Sequence, residues 1–321
     1  MSGVDLAQVR AAHERVAAHV VRTPVLRSAA LDRLVGAPAV AKLEVLQRSG
    51  SFKVRGAFAR VLGLDDAARA AGVVAVSGGN HGLAVAHAAR ALGLRATIVL
   101  PASAPRATLA RCRADGAEVV EVATIGEGFT EAERLAALGA TFVHPFDDAE
   151  VVAGQGTVAL ELHDQLDDDE VTDVVVSIGG GGLLAGTGAV LEALRPGVRL
   201  WGVETVGADA MSRALAAGEP VDVAVTSIAS TLGAPRVSAL TLDAARRHAQ
   251  DVLLVPDAEA VAALVEVADA LHLVTEPAAA VTVVAARRVV ERVGPSARVG
   301  VVLCGGNVTL DDVAAWRARF A

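Results

Sequence analysis

Short runs of β-branched and other apolar residues alternate along the chain with longer stretches rich in Ala, Leu and Arg. Because the apolar runs are continuous, they are typical of parallel strands buried on both faces. They predict strands at 40–45, 73–77, 96–100, 118–122, 141–144, 173–178, 200–203, 252–255 and 299–304. Helices are predicted between them, including 57–64, 83–92, 130–138, 183–194, 258–271 and 278–292. This alternation predicts an α/β fold with parallel-rich twisted sheets flanked by helices.

Composition narrows the class of protein. A chain of 321 residues is long enough for two domains, and 53% apolar with 21% charged residues is typical of globular proteins. The net charge of −8 argues against a nucleic-acid-binding surface. No apolar stretch is long enough for a membrane span, and the first ten residues lack a signal-peptide pattern. Cys112 and Cys304 are the only cysteines, which favours a reducing compartment. We therefore expect a cytoplasmic protein that binds a small molecule, with no nucleic-acid or membrane partner.

Three of the predicted strands run directly into glycine-rich loops. These loops are Gly78-Gly79-Asn80-His81, Gly179-Gly180-Gly181-Gly182 and Gly305-Gly306-Asn307. Ligands of open parallel sheets bind beyond the carboxyl ends of the strands. We therefore expect the three loops to meet at one cleft.

The four consecutive glycines at 179–182 lie between a predicted strand and a predicted helix. Their N–H groups can approach a ligand closely, and the helix N-terminus adds partial positive charge. The segment therefore predicts an anion cradle suited to phosphate. A tight structural turn is one alternative. A nicotinamide-dinucleotide site is another, since Glu204 follows at about the spacing of a ribose-binding acid, about 20 residues on.

Lys53 lies in Gly50–Gly56, directly before a predicted helix. We predict that it falls in the first helical turn, with Ser51 as the N-cap. The positive end of a helix dipole lowers the proton affinity of an amine, which a Schiff-base nucleophile requires. A solvated surface lysine is the alternative that the local pattern leaves open.

Taken together, these segments resemble the serine/threonine dehydratase and serine racemase group of the fold-type II (tryptophan synthase β-like) enzymes that use pyridoxal 5′-phosphate. The matching segments occur in order along most of the chain, at 22–25, 42–47, 50–57, 77–82, 144–148, 153–157, 179–183, 202–204, 276–278 and 304–308. Each segment is short, but their order makes the resemblance specific.

The resemblance implies roles for the matched residues. Lys53 would hold the cofactor as a Schiff base and later take the Cα proton. The other implied cofactor-binding residues are Phe52, Asn80 at the 3′ oxygen, Gly179, Gly180, Gly181, Gly182 and Leu183 around the phosphate, and Cys304 at the pyridine nitrogen. The substrate carboxylate would be held by Ser77, Gly78, Gly79, Asn80 and His81, largely through backbone N–H groups.

Three positions refine this interpretation. A neutral thiol at Cys304 is a weak donor, which favours prompt β-elimination over transamination. Gly78 stands where racemases of this group have an acid/base serine, which favours elimination over racemisation. Glu204 and Ala208 match two positions of a divalent-cation site, but the third is Ala210 instead of an aspartate. A divalent cation is therefore left uncertain, and no metal ligand is assigned.

The resemblance implies a large cofactor-binding domain, residues 1–72 and 149–321, and a small domain, residues 73–148, in a homodimer. The predicted function is L-threonine/L-serine ammonia-lyase, which releases 2-oxobutanoate or pyruvate and ammonia. Within the same fold, the alternatives are a dehydratase of 3-hydroxyaspartate or phenylserine and a serine racemase. From other classes, they are an NAD(P) oxidoreductase and a non-catalytic protein that binds pyridoxal phosphate.

Overall fold

In the computed structural model, which describes residues 3–320, the strands form two separate sheets. The strands are β1 (Val25–Leu26), β2 (Ala39–Leu43), β3 (Val73–Val76), β4 (Ala96–Pro101), β5 (Glu118–Val122), β6 (Thr141–Phe142), β7 (Asp173–Ser177), β8 (Arg199–Thr205), β9 (Ala249–Val255) and β10 (Val299–Leu303). One sheet has the order β1-β2-β10-β7-β8-β9 and is parallel except for the pairing of β1 with β2. The other has the order β5-β4-β3-β6 and is wholly parallel.

Helices connect the strands and cover the sheets. They are α1 (Leu6–Val16), α2 (Ala29–Val35), α3 (Lys53–Leu62), α4 (Asp66–Ala71), α5 (Asn80–Ala91), α6 (Arg106–Ala114), α7 (Ile125–Ala137), α8 (Ala149–Gln165), α9 (Gly182–Leu194), α10 (Ala210–Ala217), α11 (Ala239–His248), α12 (Asp257–Leu271), α13 (Pro277–Val293) and α14 (Leu310–Phe320), with short 3-10 helices at Glu44–Leu46 and Ser230–Leu232. Among residues 3–320, no helix combines the length and apolar character needed to cross a membrane.

The predicted α/β class is confirmed, and the continuous apolar runs are the reason. Strands β2, β3, β7 and β10 are buried at every position, as expected for strands covered on both faces. The two-residue strand β1 and several polar-rich helices, such as α4 and α6, were not predicted, because they lack a long apolar pattern. The domain boundaries, the homodimer and the cytoplasmic location stay predictions.

Helix α3, which begins at Lys53, packs against α1, α5 and α8. Its apolar residues Val54, Ala57 and Phe58 join the core beneath the four-stranded sheet. On another side it crosses α8, where a Cβ at Gly154 would lie 2.6 Å from the Cα of Gly56. Because glycine stands at both positions, the two backbones can touch. The start of α3 is thus fixed by contacts on two sides.

A buried ionic network ties α3 to β2 and α8. The guanidinium of Arg55 donates to both carboxylate oxygens of Glu44 at 2.8 Å and to those of Glu161 at 2.7 and 2.9 Å. The ammonium of Lys42 donates to Glu161 at 2.7 Å. All four side chains are at most 1% exposed. Burial alone would raise the pKa of Glu161, but Arg55 and Lys42 hold it below its ordinary value.

We predict that Glu161→Gln lowers the free energy of unfolding by about 3–5 kcal/mol, because it leaves the buried cations of Arg55 and Lys42 undercompensated. Urea denaturation measures this change. The matched control is Glu192→Gln, which removes the charge of a half-exposed partner of Arg247 and should cost less than about 1 kcal/mol. Similar losses in the two variants would contradict the structural importance of the network.

Candidate active site

A cavity of about 520 Å³ lies between the two sheets, at the carboxyl ends of β3, β7 and β10. Its lining includes every residue to which the sequence assigned cofactor or substrate binding: Phe52, Lys53, Ser77, Gly78, Gly79, Asn80, His81, Gly179, Gly180, Gly181, Gly182, Leu183 and Cys304. Two of the three glycine-rich loops expected to converge therefore line the cavity, whereas Gly305-Gly306-Asn307 lies beside it, with the Asn307 side chain bonded to Asn80. The volume is typical of a small-molecule site.

Backbone pairing with the loop after β10 positions Lys53. The N–H of Phe52 donates to the carbonyl of Cys304 at 3.0 Å, and Ser51 pairs with Gly305 in an isolated antiparallel bridge. The prediction that Ser51 caps α3 is wrong. Phe52 precedes the helix, and the Ser51 hydroxyl has no hydrogen-bond partner within residues 3–320. Because the helix begins at Lys53, Ser51 lies one residue before the cap position, where its backbone pairs with Gly305.

Lys53 supplies the only amine in the cavity lining formed by residues 3–320. It donates to the carbonyl of Pro145 at 3.0 Å and lies 5.2 Å from the centroid of the Phe52 ring. Burial lowers the pKa of Lys53 to about 8, although Cys304 acts in the opposite direction. The chain has only two lysines, and the other, Lys42, is buried in the ionic network. Lys53 is therefore the lysine available to an aldehyde.

The Gly179–Gly182 loop has the properties of an anion cradle. None of its four N–H groups donates to an acceptor within residues 3–320. Gly181 has a φ of +92°, which disfavours other residues, and a Cβ at Gly180 would lie 2.0 Å from the Phe146 ring. The loop leads into the N-terminus of α9, where unpaired N–H groups attract anions. These donors fit a phosphate group.

The loop after β3 supplies a second set of donors. Ser77 N–H donates to Val99 and Gly79 N–H donates to the Ser77 hydroxyl, so neither is free for a ligand. The N–H groups of Gly78, Asn80 and His81 have no acceptor within the described part of the chain. They lie at the start of α5, which suits a carboxylate. Only part of the predicted loop can therefore donate.

Sequence reasoning assigned no role to Glu276, which is 1% exposed beside the cavity. Its carboxylate accepts from the Asn80 amide at 2.8 and 3.0 Å and from the Thr231 hydroxyl at 2.7 Å. It also accepts the N–H of Asn307, whose side chain donates to the Asn80 oxygen at 2.6 Å. A bond from Asn80 to a cofactor oxygen would compete with Glu276. The Glu-Pro-Ala segment at 276–278 was part of the family resemblance, but the sequence did not indicate the hydrogen-bond partners of Glu276.

The Cys304 thiol stays protonated. Burial raises the pKa of Cys304 to about 12, and its Sγ lies 3.6 Å from the carbonyl oxygen of Ala278 and 3.8 Å from the Ser177 hydroxyl. A neutral thiol can offer only a weak hydrogen bond. This matches the uncharged group expected at this position.

Glu204 and Ala208, the two residues considered for a divalent-cation site, lie outside the cavity lining. Glu204 accepts the N–H groups of Met211 and Ser212 at 2.8 and 2.9 Å and the Ser212 hydroxyl at 2.6 Å, all at the start of α10. Ala208 donates its N–H to the carbonyl of Thr205. Within residues 3–320, no group of three His, Cys, Asp or Glu side chains is arranged to hold a metal ion. The Glu204 carboxylate thus binds the backbone of its own chain.

The chain is similar in sequence and in fold to known proteins. The family model described as "Pyridoxal-phosphate dependent enzyme" matches residues 16–305. Phenylserine dehydratase of Ralstonia pickettii is 40% identical over 306 residues, covering 94% of this chain and 93% of that protein. The beta-hydroxyaspartate dehydratase of Paracoccus denitrificans is 39% identical over 306 residues, covering 94% and 96%. The structure of maize serine racemase matches with a TM-score of 0.91 and 32% identity, covering 99% of this chain and 98% of that one.

We predict that acetic anhydride acylates Lys53 of the free folded protein with a half-maximal rate near pH 8. Only the neutral amine reacts, and burial disfavours the ammonium form. Peptide mapping across a pH series measures the rate. In urea, the same lysine should titrate near the ordinary value of about 10.4. A titration near that ordinary value in the folded protein would contradict the desolvated setting.

Proposed function

Because the chain belongs to the pyridoxal-phosphate-dependent enzyme family, we propose that it eliminates water and then ammonia from a β-hydroxy-α-amino acid, with L-threonine and L-serine as its predicted substrates. One observation carries the proposal: the Lys53 amine, the Gly179–Gly182 cradle and the N–H groups after β3 line the same cavity. The dehydratase names of two similar proteins support the reaction type. Family membership argues against a nicotinamide oxidoreductase.

The residues present fit the family's cofactor. Lys53 would bind its aldehyde, Gly179–Gly182 would hold its phosphate through free N–H groups, and the Cys304 thiol would face its ring nitrogen. Pyridoxal phosphate supplies an electron sink for negative charge at Cα of a bound amino acid. The protein contributes position and proton transfer.

The Lys53 amine is suited to take the Cα proton. With a pKa of about 8, about a tenth of the free amine is unprotonated at pH 7, against well under one in a thousand at the ordinary lysine value of about 10.4, and its acidity is close to what a general base requires. The N–H groups of Gly78, Asn80 and His81 would orient the substrate carboxylate at the start of α5. Loss of the β-hydroxyl and the proton then gives an unsaturated product, which releases ammonia in water and leaves a 2-oxo acid.

Racemisation would need a second proton-transfer group on the face opposite Lys53. Gly78 has no side chain, and the atoms nearest to a Cβ placed there belong to Ala104 and Pro101, each at 3.4 Å. Neither neighbour can carry a proton. We therefore propose that elimination dominates over racemisation.

We predict that borohydride traps pyridoxal phosphate on Lys53 and leaves Lys42 unlabelled in peptide maps, because Lys42 is paired and inaccessible. Lys53→Ala should lower 2-oxo acid release from L-threonine by at least about 100-fold, the usual contribution of general base catalysis. Lys53→Arg, which keeps a cation but cannot form the imine, should be equally impaired. Trapping on Lys42, or substantial activity without Lys53, would overturn this assignment.

A second prediction concerns Gly78. The space around it accommodates a small side chain, so Gly78→Ser should raise the ratio of D-serine formation to pyruvate formation from L-serine by at least about tenfold, within the range of general acid–base effects. Chiral chromatography measures the ratio. Gly78→Ala is the matched control and should leave it unchanged. A large D-serine yield from the unaltered protein would refute the preference for elimination.

A further inference from the structure

We propose that the substrate's β-substituent is uncharged and apolar, as in threonine or phenylserine, and that the cavity excludes a β-carboxylate such as that of 3-hydroxyaspartate. This inference rests on the proposed function and deepens it. It concerns the substituent on Cβ of the amino acid, which the proposed elimination leaves unchanged.

The wall contributed by the four-stranded sheet and its loops is mainly apolar. Its lining includes Pro101, Ala104, Ile125 and Phe129. Phe129 is partly buried and packs against the ring of His144 at a centroid distance of 5.5 Å. The cradle and the thiol belong to the six-stranded sheet, so this opposite wall is left to contact the substrate side chain. Burial of an apolar substituent there is favourable.

Charge at the cavity surface is sparse. Lys53, His81 and Cys304 are the only ionisable side chains in the lining formed by residues 3–320, and no arginine is among them. Burial raises the pKa of Cys304 to about 12, so the thiol is neutral. Lys53 is assigned to the cofactor and the Cα proton. None of these groups is free to pair with a second carboxylate.

His81 adds no positive charge. Burial lowers its pKa to about 3, and the Lys53 cation acts in the same direction. Its Nε2 lies 2.8 Å from the carbonyl oxygen of Val143. Because that oxygen can only accept, Nε2 carries the proton and Nδ1 is a lone-pair acceptor. The ring therefore has no N–H group left to donate to a substrate carboxylate.

Two arginines directly follow cavity-lining residues, Arg106 after Pro105 and Arg236 after Pro235. Their side chains are 88% and 52% exposed and face Glu121 at 3.9 Å and Asp222 at 3.2 Å, outside the lining. The α-carboxylate has unpaired N–H groups at the start of α5, whereas a β-carboxylate would find no free cationic side chain in the lining and only uncharged donors, such as the hydroxyls of Ser103 and Thr124. An anion without a cationic partner in a largely enclosed site loses solvation that such donors restore only in part. Discrimination of at least about 100-fold is expected.

The first experiment compares kcat/KM of the pyridoxal-phosphate-loaded enzyme for L-threonine, L-threo-phenylserine and L-threo-3-hydroxyaspartate. Release of 2-oxo acid from the first two, with hydroxyaspartate at least about 100-fold below threonine, is the expected result. Hydroxyaspartate within tenfold of threonine would overturn the inference while leaving the proposed elimination intact.

The second experiment measures binding without turnover, so that the two proposals can fail separately. L-2-aminobutyrate, L-phenylalanine and L-aspartate lack the β-hydroxyl, and their binding can be followed by the visible spectrum of the loaded enzyme. L-aspartate should bind at least about 100-fold more weakly than L-2-aminobutyrate. If this order holds but no hydroxy amino acid is converted, the proposed reaction fails and the assigned side-chain pocket stands. Equal binding would overturn the pocket.

A variant tests the wall directly. Phe129→Arg should raise the ratio of L-aspartate to L-2-aminobutyrate affinity by at least about tenfold, because it supplies the missing cation. Phe129→Leu is the matched control and should leave the ratio nearly unchanged. Ile125→Arg, in the first turn of α7, provides a second position if the first variant does not fold. An unchanged ratio in a folded arginine variant would contradict the assignment of this wall.

Discussion

The guanidinium of Arg55 is enclosed in protein and held between the carboxylates of Glu44 and Glu161, only two residues after Lys53. A well-packed apolar cluster could be equally stable, because burial of the charges costs about as much as their attraction returns. An apolar cluster would not define the orientation of the side chains as strictly. Here each carboxylate accepts two N–H bonds of defined direction from the planar guanidinium. We interpret the network as the element that sets the start of α3. Together with the backbone pairing of Ser51 and Phe52 with the loop after β10, the network positions the Lys53 amine.

A second polar cluster connects the structure around the two sheets. Asn80 opens α5 beside the four-stranded sheet, whereas Glu276 and Asn307 belong to segments around the six-stranded sheet. Glu276 has little solvent around it, so its negative charge depends on the donors that these neighbours supply. A change in how the two sheets approach each other would alter these bonds. The cluster therefore links substrate-loop geometry to the arrangement of the cavity walls.

Sequence reasoning succeeded for features that are determined by residues within a single short segment of the chain. The continuous apolar strands predicted the sheets, and the glycines predicted to bind an anion lie in the cavity after β7, although phosphate binding there stays a prediction. It failed at Ser51, because the extended pairing of Ser51 with Gly305 joins segments more than 250 residues apart. The partners of Glu276 were hidden for the same reason. The assigned site residues were matched through the family resemblance, since Lys53 taken alone looks like any surface lysine.

The cavity has one part that acts on groups common to every substrate of the proposed reaction and another that does not. The first part comes from both sheets: the glycine cradle and the thiol follow β7 and β10, the amine lies at the start of α3, and the α-carboxylate donors follow β3. The second part, with Pro101 at the end of β4 and Ile125 and Phe129 on α7, makes none of these contacts. This division explains why family likeness predicts reaction type better than substrate. Relatives at 40% and 39% identity carry the names of an aromatic and an acidic substrate. Overall sequence identity cannot distinguish a protein with an aromatic substrate from one with an acidic substrate. The charges of a few wall residues can, because a buried carboxylate needs a compensating partner, whereas an aromatic ring does not.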